Sequence, residues 1–402
     1  MLFANRFHKR SHPVQYVGID LHKKTISGCV VVKERGKRKI AARKRLECRD
    51  EAGIKSWFSE LGKFEVVVEA TASYEWFVKL VEPLASRVVL AHPKKLRIIA
   101  ESKRKSDKLD AQVLAEFLAS DEIPLAYRPC PRVREHRVLV RWRGYIQRRL
   151  TSVKNKLRHI LAAYNADVPN LFTAEGLTHL ATVPLTASDR FVSEQLVTEW
   201  EQHQERLRAT NRQLREFAAT APLAEREARA VLASIPQVGA ITADVILAEL
   251  GDWRRFGSQA EVASYAGLVP GFRESAGKAK HLGITKEGSS LLRWVMIEFA
   301  WRMVGASRKW GGHYHRLEAR VGAKKAIVAM ARRLLGMVFA LLRTGQKYSL
   351  ALELPPPASC RSKSPRDTNP SDPSCLRGQP RQASSLGAGA YYGGPLSVPG
   401  KE

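Results

Sequence analysis

Four carboxylates in the amino-terminal third have the type and spacing to hold metal: Asp20, Glu69, Asp107 and Asp110. Asp20 follows the apolar run VQYVGI and Glu69 follows FEVVV, so each acid ends a predicted strand, at the edge where ligands bind in open α/β folds. Asp107 and Asp110 stand three apart in SDKLDAQ, at the start of a predicted helix, and therefore project from one face of one turn. Carboxylate oxygens suit hard divalent cations such as Mg²⁺, and two Mg²⁺ about 4 Å apart stabilise the attacking and leaving oxygens at a phosphodiester. Without cations the four groups would repel one another, and burying them unpaired would be costly. Taken singly, an Asp-x-x-Asp on a helix is ordinarily a solvated face or a cap. It is the set, two strand ends and one helix start, that suggests a metal site.

The elements that must position these acids are legible as periodicities. VQYVGID (14–20) and TISGCVVV (25–32), joined by a short polar connection, predict a hairpin. FEVVVEA (64–70) predicts a third strand, SYEWFVKLVEPL (73–84) a helix with Ser73 as N-cap, RVVLAH (87–92) a fourth strand and KLDAQVLAEFLA (108–119) a second helix. Strands alternating with helices make residues 1–125 an α/β domain. Residues 126–227 change character. Between Arg128 and Arg158 there are eleven Arg and Lys against one acid, Glu135, while Ile146, Leu150, Val153, Leu157, Ile160 and Tyr164 form one apolar stripe. The same stepping returns at Leu196, Trp200, His203, Leu207, Thr210, Leu214 and Phe217. Two such helices fit an antiparallel coiled coil, a dimer seam or an ordinary helical bundle.

Residues 228–350 are rich in Ala, Leu, Gly and Arg and mostly helical by pattern. In ASIPQVGAITADVILAELGD (233–252) an Ile-Pro-x-x-Gly turn precedes a helix, which fits either a helix-hairpin-helix-like element with backbone N–H groups near a phosphate or plain packing. From Pro355 onward 23 of 48 residues are Pro, Gly or Ser, so 351–402 is expected to be a disordered tail. The fold class expected is thus α/β plus all-α.

Charge names the class of partner. Among 402 residues, 67 Lys and Arg face 39 Asp and Glu, a formal net charge of +28. Such a surface attracts polyanions. The absence of a long apolar run and of a secretory h-region speaks against a membrane and for the cytoplasm. Five cysteines without CxxC or zinc spacing make disulfides and structural zinc unexpected. The expected phosphate contacts are Lys94, Lys95, Arg97, Lys103, Arg104 and Lys105 before the Asp-x-x-Asp pair, and Arg141, Arg143, Arg148, Arg149, Lys154 and Lys156 on the basic helix. Lys278 and Lys280 are a third group. Binding through them should weaken steeply with salt.

These residues resemble a known family. YVGIDLHKKT (16–25), VVVEATASYEWF (66–77), AHPKKLR (91–97) and KSDKLDAQVLAEFL (105–118) look like the RuvC-like, ribonuclease-H-fold domain of the DEDD insertion-sequence transposases, the insertion-sequence one-ten family. Members are also described as bridge-RNA-guided recombinases. On this resemblance Asp20, Glu69, Asp107 and Asp110 are the four family acids. ASYAGLVPGFRESAGKAKHLGITKEGSSLLRWVMIEFAW (263–301) resembles the transposase domain that follows the family's coiled coil, where a nucleophilic serine stands shortly after a Gly-Leu-x-Pro segment. The matching residue is Ser275, followed by Ala276 where many members have glycine. Ser264, Ser289 and Ser290 are its neighbours, the first in a predicted helix and the others at a predicted helix start. The only nearby histidine, His281, lies six residues on, so metal coordination is the expected activator of the hydroxyl.

The resemblance implies a DNA transposase or recombinase, bacterial or archaeal and nucleoid-associated, that forms a phosphoserine–DNA intermediate beside two Mg²⁺ per site. It implies sites shared between protomers of a dimer or tetramer, acting on donor and target DNA with a noncoding guide RNA. Two readings remain beside it: a structure-selective nuclease using only the four acids, and a catalytically inactive nucleic-acid-binding protein.

Overall fold

The computed structural model describes residues 14–34, 36–71, 74–96, 111–275 and 278–349, of which 272–275 and 278–281 are described by their backbone alone. β-Branched residues make β1 (Gln15–Leu21) and β2 (Thr25–Glu34) the expected antiparallel hairpin. Two elements follow that the sequence pattern does not predict, β3 (Lys37–Glu47), antiparallel to β2, and the helix α1 (Glu51–Glu60). β3 is the outer strand of the sheet and mostly exposed, so KRKIAARKRLE lacks apolar alternation and carries the charges that keep an edge from pairing with another chain. Asp50 caps α1, its Oδ1 accepting the Gly53 N–H at 2.8 Å. β4 (Phe64–Glu69) and β5 (Arg87–Ala91) extend the sheet in parallel, giving the order β3-β2-β1-β4-β5. The run predicted as the third strand is therefore the fourth.

One face of the sheet packs Val17, Ile19, Val66 and Val68 against Trp57 and Phe58 of α1 and Phe77 and Val78 of α2 (Tyr74–Val81). The other face is covered by α3 (Ala111–Ala119), with Val113, Leu114 and Phe117 on Val67 and Val89, and Ala111 and Ala115 on Cys29 and Val31. Ser73, the predicted cap of α2, and residues 108–110 of the predicted second helix lie outside the described residues. α3 comes so close to β1 that a Cβ on Gly18 would stand 2.0 Å from the Ala111 carbonyl oxygen and 2.4 Å from the Ala115 nitrogen. Both obstacles are backbone and cannot yield by rotating. Gly18→Ala should therefore cost about 3 kcal/mol of unfolding free energy in a urea titration. Gly283→Ala, with nothing within 4 Å of its Cβ, should stay within about 0.5 kcal/mol of wild type.

α4 (Pro131–Ala163) and α6 (Ala187–Ala219) are 33 residues each and run antiparallel within the chain, with α5 (Ala174–Thr182) in the connection. Their bonds descend one helix as they ascend the other: Arg132 to the Phe217 carbonyl, Arg143 to Asn211, Arg149 to Glu199, Tyr164 to Asp189. Ile146, Leu150, Val153 and Leu157 are buried as the stripe predicts, but the last turn buries Leu161 and leaves Ile160 at the margin. On α6, Leu196, His203, Thr210 and Leu214 are buried.

The third segment is helical: α7 (Leu223–Ala233), α8 (Ala240–Leu250), α9 (Gln259–Tyr265), α10 (Ser290–Ala306), α11 (Arg308–Val321) and α12 (Ala323–Thr344). Its core joins Leu292, Met296 and Phe299 to Leu334, Leu335 and Val338. Where the sequence suggests a Gly and Lys rich loop, the chain forms a hairpin of β6 (Pro270–Ser275) and β7 (Lys278–Ile284). The expected tail, from residue 350, lies outside the described residues.

Acids buried in α8 join this segment to α4. His136 Nε2 lies 3.0 Å from Asp244 Oδ1, and Arg229 Nη1 donates to the same oxygen at 2.7 Å. Arg141 grips Glu249 with two bonds of 2.9 and 3.0 Å. Arg132 and Arg229 both bond Glu225; burial would raise its pKa, but these two guanidinium bonds outweigh that and hold it below the usual glutamate range.

Candidate active site

The parallel register of β1 and β4 ends with Ile19 opposite Val68, so Asp20 and Glu69 are the next residues on adjoining strands, about 4.8 Å apart in strand spacing. Ile19 and Val68 face α1 and α2. By the alternation of a strand, Asp20 and Glu69 face the α3 side. The Asp20 side chain is 30% exposed, with His22 Nε2 3.1 Å from its Oδ2. Asp107 and Asp110 lie outside the described residues, and α3 is described from Ala111, the residue after Asp110, whose carbonyl crowds Gly18 two positions before Asp20. Among the described residues no three His, Cys, Asp or Glu gather as a metal cluster. Two of the four expected ligands are thus brought together, on one face and at one strand edge.

Ser275 is the last residue of β6, its backbone paired with Lys278 across the hairpin, while Arg273 pairs with Lys280. The neighbouring serines occupy the places their patterns predict. Ser264 lies within α9, and Ser289 caps α10, its Oγ accepting the Leu292 N–H at 3.2 Å.

The basic helix divides into structural and open cations. Arg141 holds Glu249, Arg143 donates to Asn211 at 2.9 Å with burial pushing its pKa down, and Arg149 bonds Glu199 at 2.9 Å. Lys154 sits over the Phe172 ring at 4.8 Å. Arg148 and Lys156 are exposed. Lys94 Nζ comes within 4.0 Å of Glu287, Lys95 is exposed, and Arg97, Lys103, Arg104 and Lys105 lie outside the described residues. Sequence reasoning passed over a further basic element: β3 places Arg43, Lys44 and Arg45 beside Asp20, around a cleft of about 340 Å³. The signal was present as six Lys and Arg among residues 37–45, in a run without strand alternation.

Comparison with known proteins finds relatives for both halves of the chain. A transposase model of the DEDD, IS110 kind matches residues 17–166, the sheet domain and α4, and a model described as the transposase IS116/IS110/IS902 family matches residues 229–316, from α7 into α11. The transposase for insertion sequence element IS1328 of Yersinia enterocolitica is 26% identical over 242 residues, spanning 58% of this chain and 69% of that protein. The transposase for insertion sequence element IS1111A of Coxiella burnetii is 24% identical over 298 residues, spanning 70% and 79%. No helix among the described residues is long and apolar enough to cross a membrane. With both halves of the family pattern matched in order, this chain belongs to the IS110 family of DEDD transposases and acts in DNA transposition.

Proposed function

We propose that this transposase cuts and rejoins DNA through Ser275 beside Mg²⁺ held by Asp20, Glu69, Asp107 and Asp110, with a noncoding RNA selecting donor and target. The observation that carries the reading is the convergence of Asp20 and Glu69 on the α3 face at one sheet edge. Asp20 and Glu69 are carboxylates, both partly exposed, and such oxygen donors fit a hard divalent cation. Mg²⁺ bound there supplies charge neutralisation to a phosphodiester. The Ser275 oxygen forms a new bond to phosphorus as the bond to the departing strand oxygen breaks, and the hydroxyl proton passes to solvent. The phosphoserine so formed keeps the energy of the phosphodiester, so the strands rejoin by the reverse step without ATP. Residues 1–125 contribute the acids and 228–350 the serine. The sites are shared between protomers of a dimer or tetramer, with the α4 and α6 hairpin of 126–227 between the two domains. Exposed cations, Arg148 and Lys156 among them, contact phosphates of DNA and guide RNA in the bacterial or archaeal nucleoid.

The test uses the full chain with supercoiled DNA carrying the element, its RNA and Mg²⁺. A covalent protein–DNA adduct on a denaturing gel is expected, Ser275→Ala should remove it, and omitting the RNA should suppress it. DNA cleavage that persists in Ser275→Ala without an adduct would establish the nuclease reading instead, and DNA binding with no cleavage by any form would establish the inactive one.

A further inference from the structure

We infer that the edge strand β3 carries the phosphate-positioning site of this centre, with Arg43 and Arg45 holding the backbone of the DNA strand that runs to Asp20. The inference rests on the active-centre reading above and names residues that reading does not contain. The register carries it. Asp20 pairs with Ser27 across β1 and β2, and Ser27 pairs with Arg45 across β2 and β3. These three residues form one row across the sheet. Residues paired across antiparallel strands present their side chains on the same face, and two strand spacings amount to about 10 Å. Cys29 pairs with Arg43 and packs against Ala111 and Ala115, which fixes that face as the α3 side, where Asp20 and Glu69 also point. The cleft between them is floored by Ser27, whose small side chain leaves the surface open, and by the backbone of Gly28, whose Cβ position faces Trp57 on the other side of the sheet.

The partners of the β3 arginines differ along the strand. Arg38 donates to Ser120 Oγ at 2.6 Å and so ties the strand to the far end of α3. Arg43 donates to Gln112 Oε1 in the first turn of α3. Arg45, in the row of Asp20, is exposed and has no ion pair or side-chain hydrogen bond among the described residues. A phosphodiester approaching four carboxylates is repelled by them. Two guanidinium groups on the same face offset that repulsion, and their planar donors bind phosphate oxygens in pairs. Lys37 and Lys39 provide the contrast, since they pair with Glu34 and Val32 and by alternation face α1, away from the cleft.

The test measures binding of a short fluorescein-labelled DNA duplex to the full chain by anisotropy, in Ca²⁺, across a salt series. The double variant Arg43→Ala with Arg45→Ala should bind about tenfold more weakly and lower the slope of log affinity against log salt by about 1.8, two phosphate contacts at 0.9 each. The double variant Lys37→Ala with Lys39→Ala removes the same charge from the same strand and should lose less than about threefold. Arg45→Gln alone, an exposed change that keeps a donor, should fall between them. Equal losses in the two double variants, or none in the first, would overturn the inference. Binding is read without strand cleavage, so failure of the serine chemistry would leave this contrast unchanged.

Discussion

Asp244→Ala is expected to lower the unfolding free energy by about 3–5 kcal/mol, read as a shift of the urea midpoint with unchanged slope. The acid sits on α8 with a side chain 4% exposed, as is that of His136 beside it, and Arg229 is 16% exposed. Removing the carboxylate leaves a partly buried guanidinium with Glu225 alone to answer it, and a buried imidazole with no partner at Nε2. The size of the effect comes from the desolvated groups left behind, more than from the worth of the bonds themselves. Asp244→Asn keeps the shape and one acceptor and should lose less, while Glu205→Ala, whose pairs with Arg208 and Arg212 lie in solvent, should not move the midpoint. A loss below about 1 kcal/mol at Asp244 would mean that Arg229 and His136 find water when the acid is gone. The network also ties the serine-bearing segment to the basic helix, so α8 and α4 should unfold in one transition in wild type and in this variant alike.

The pattern of the sequence revealed those parts of the fold where one face is wet and one is dry. VQYVGID and FEVVVEA announce β1 and β4 because β-branched residues fill a buried sheet, and the acids that interrupt the apolar runs mark their ends. The stripes of α4 and α6 were legible for the same reason, down to His203 and Thr210 in a buried seam. β3 was not, because an edge strand exposed on both faces has no period to read and its lysines and arginines look like a loop. The β6 and β7 hairpin escaped in a similar way, since PGFRES and KAKHLGI are broken by Gly and Lys. Charge was legible as a sum and not as an assignment. Arg141 and Arg143 count toward a basic surface in the sequence, yet Glu249 and Asn211 take them up. For Arg141 the signal lay on α8: AITADVILAEL is uncharged except for Asp244 and Glu249, and acids stranded in such a run need cationic partners.

Asp20→Asn should lower the rate of protein–DNA adduct formation by about a thousandfold or more while leaving the melting temperature in place. Asparagine keeps the size and one carbonyl oxygen of the side chain, and at 30% exposure the position does not depend on the charge for burial. What the change removes is one negative charge from a set whose other described member, Glu69, ends the adjoining strand. In the proposed site four carboxylates would hold a hard cation by summed charge, so losing one of them should weaken Mn²⁺ or Mg²⁺ binding in a calorimetric titration and make the residual activity depend on raised metal. Arg45→Gln predicts the opposite pattern, weaker DNA binding with metal affinity unchanged, although the two residues lie in one row of the sheet. That difference separates a ligand from a positioning residue. Adduct formation by Asp20→Asn within about tenfold of wild type would take Asp20 out of the chemistry and with it the account of why an acid ends an otherwise apolar strand.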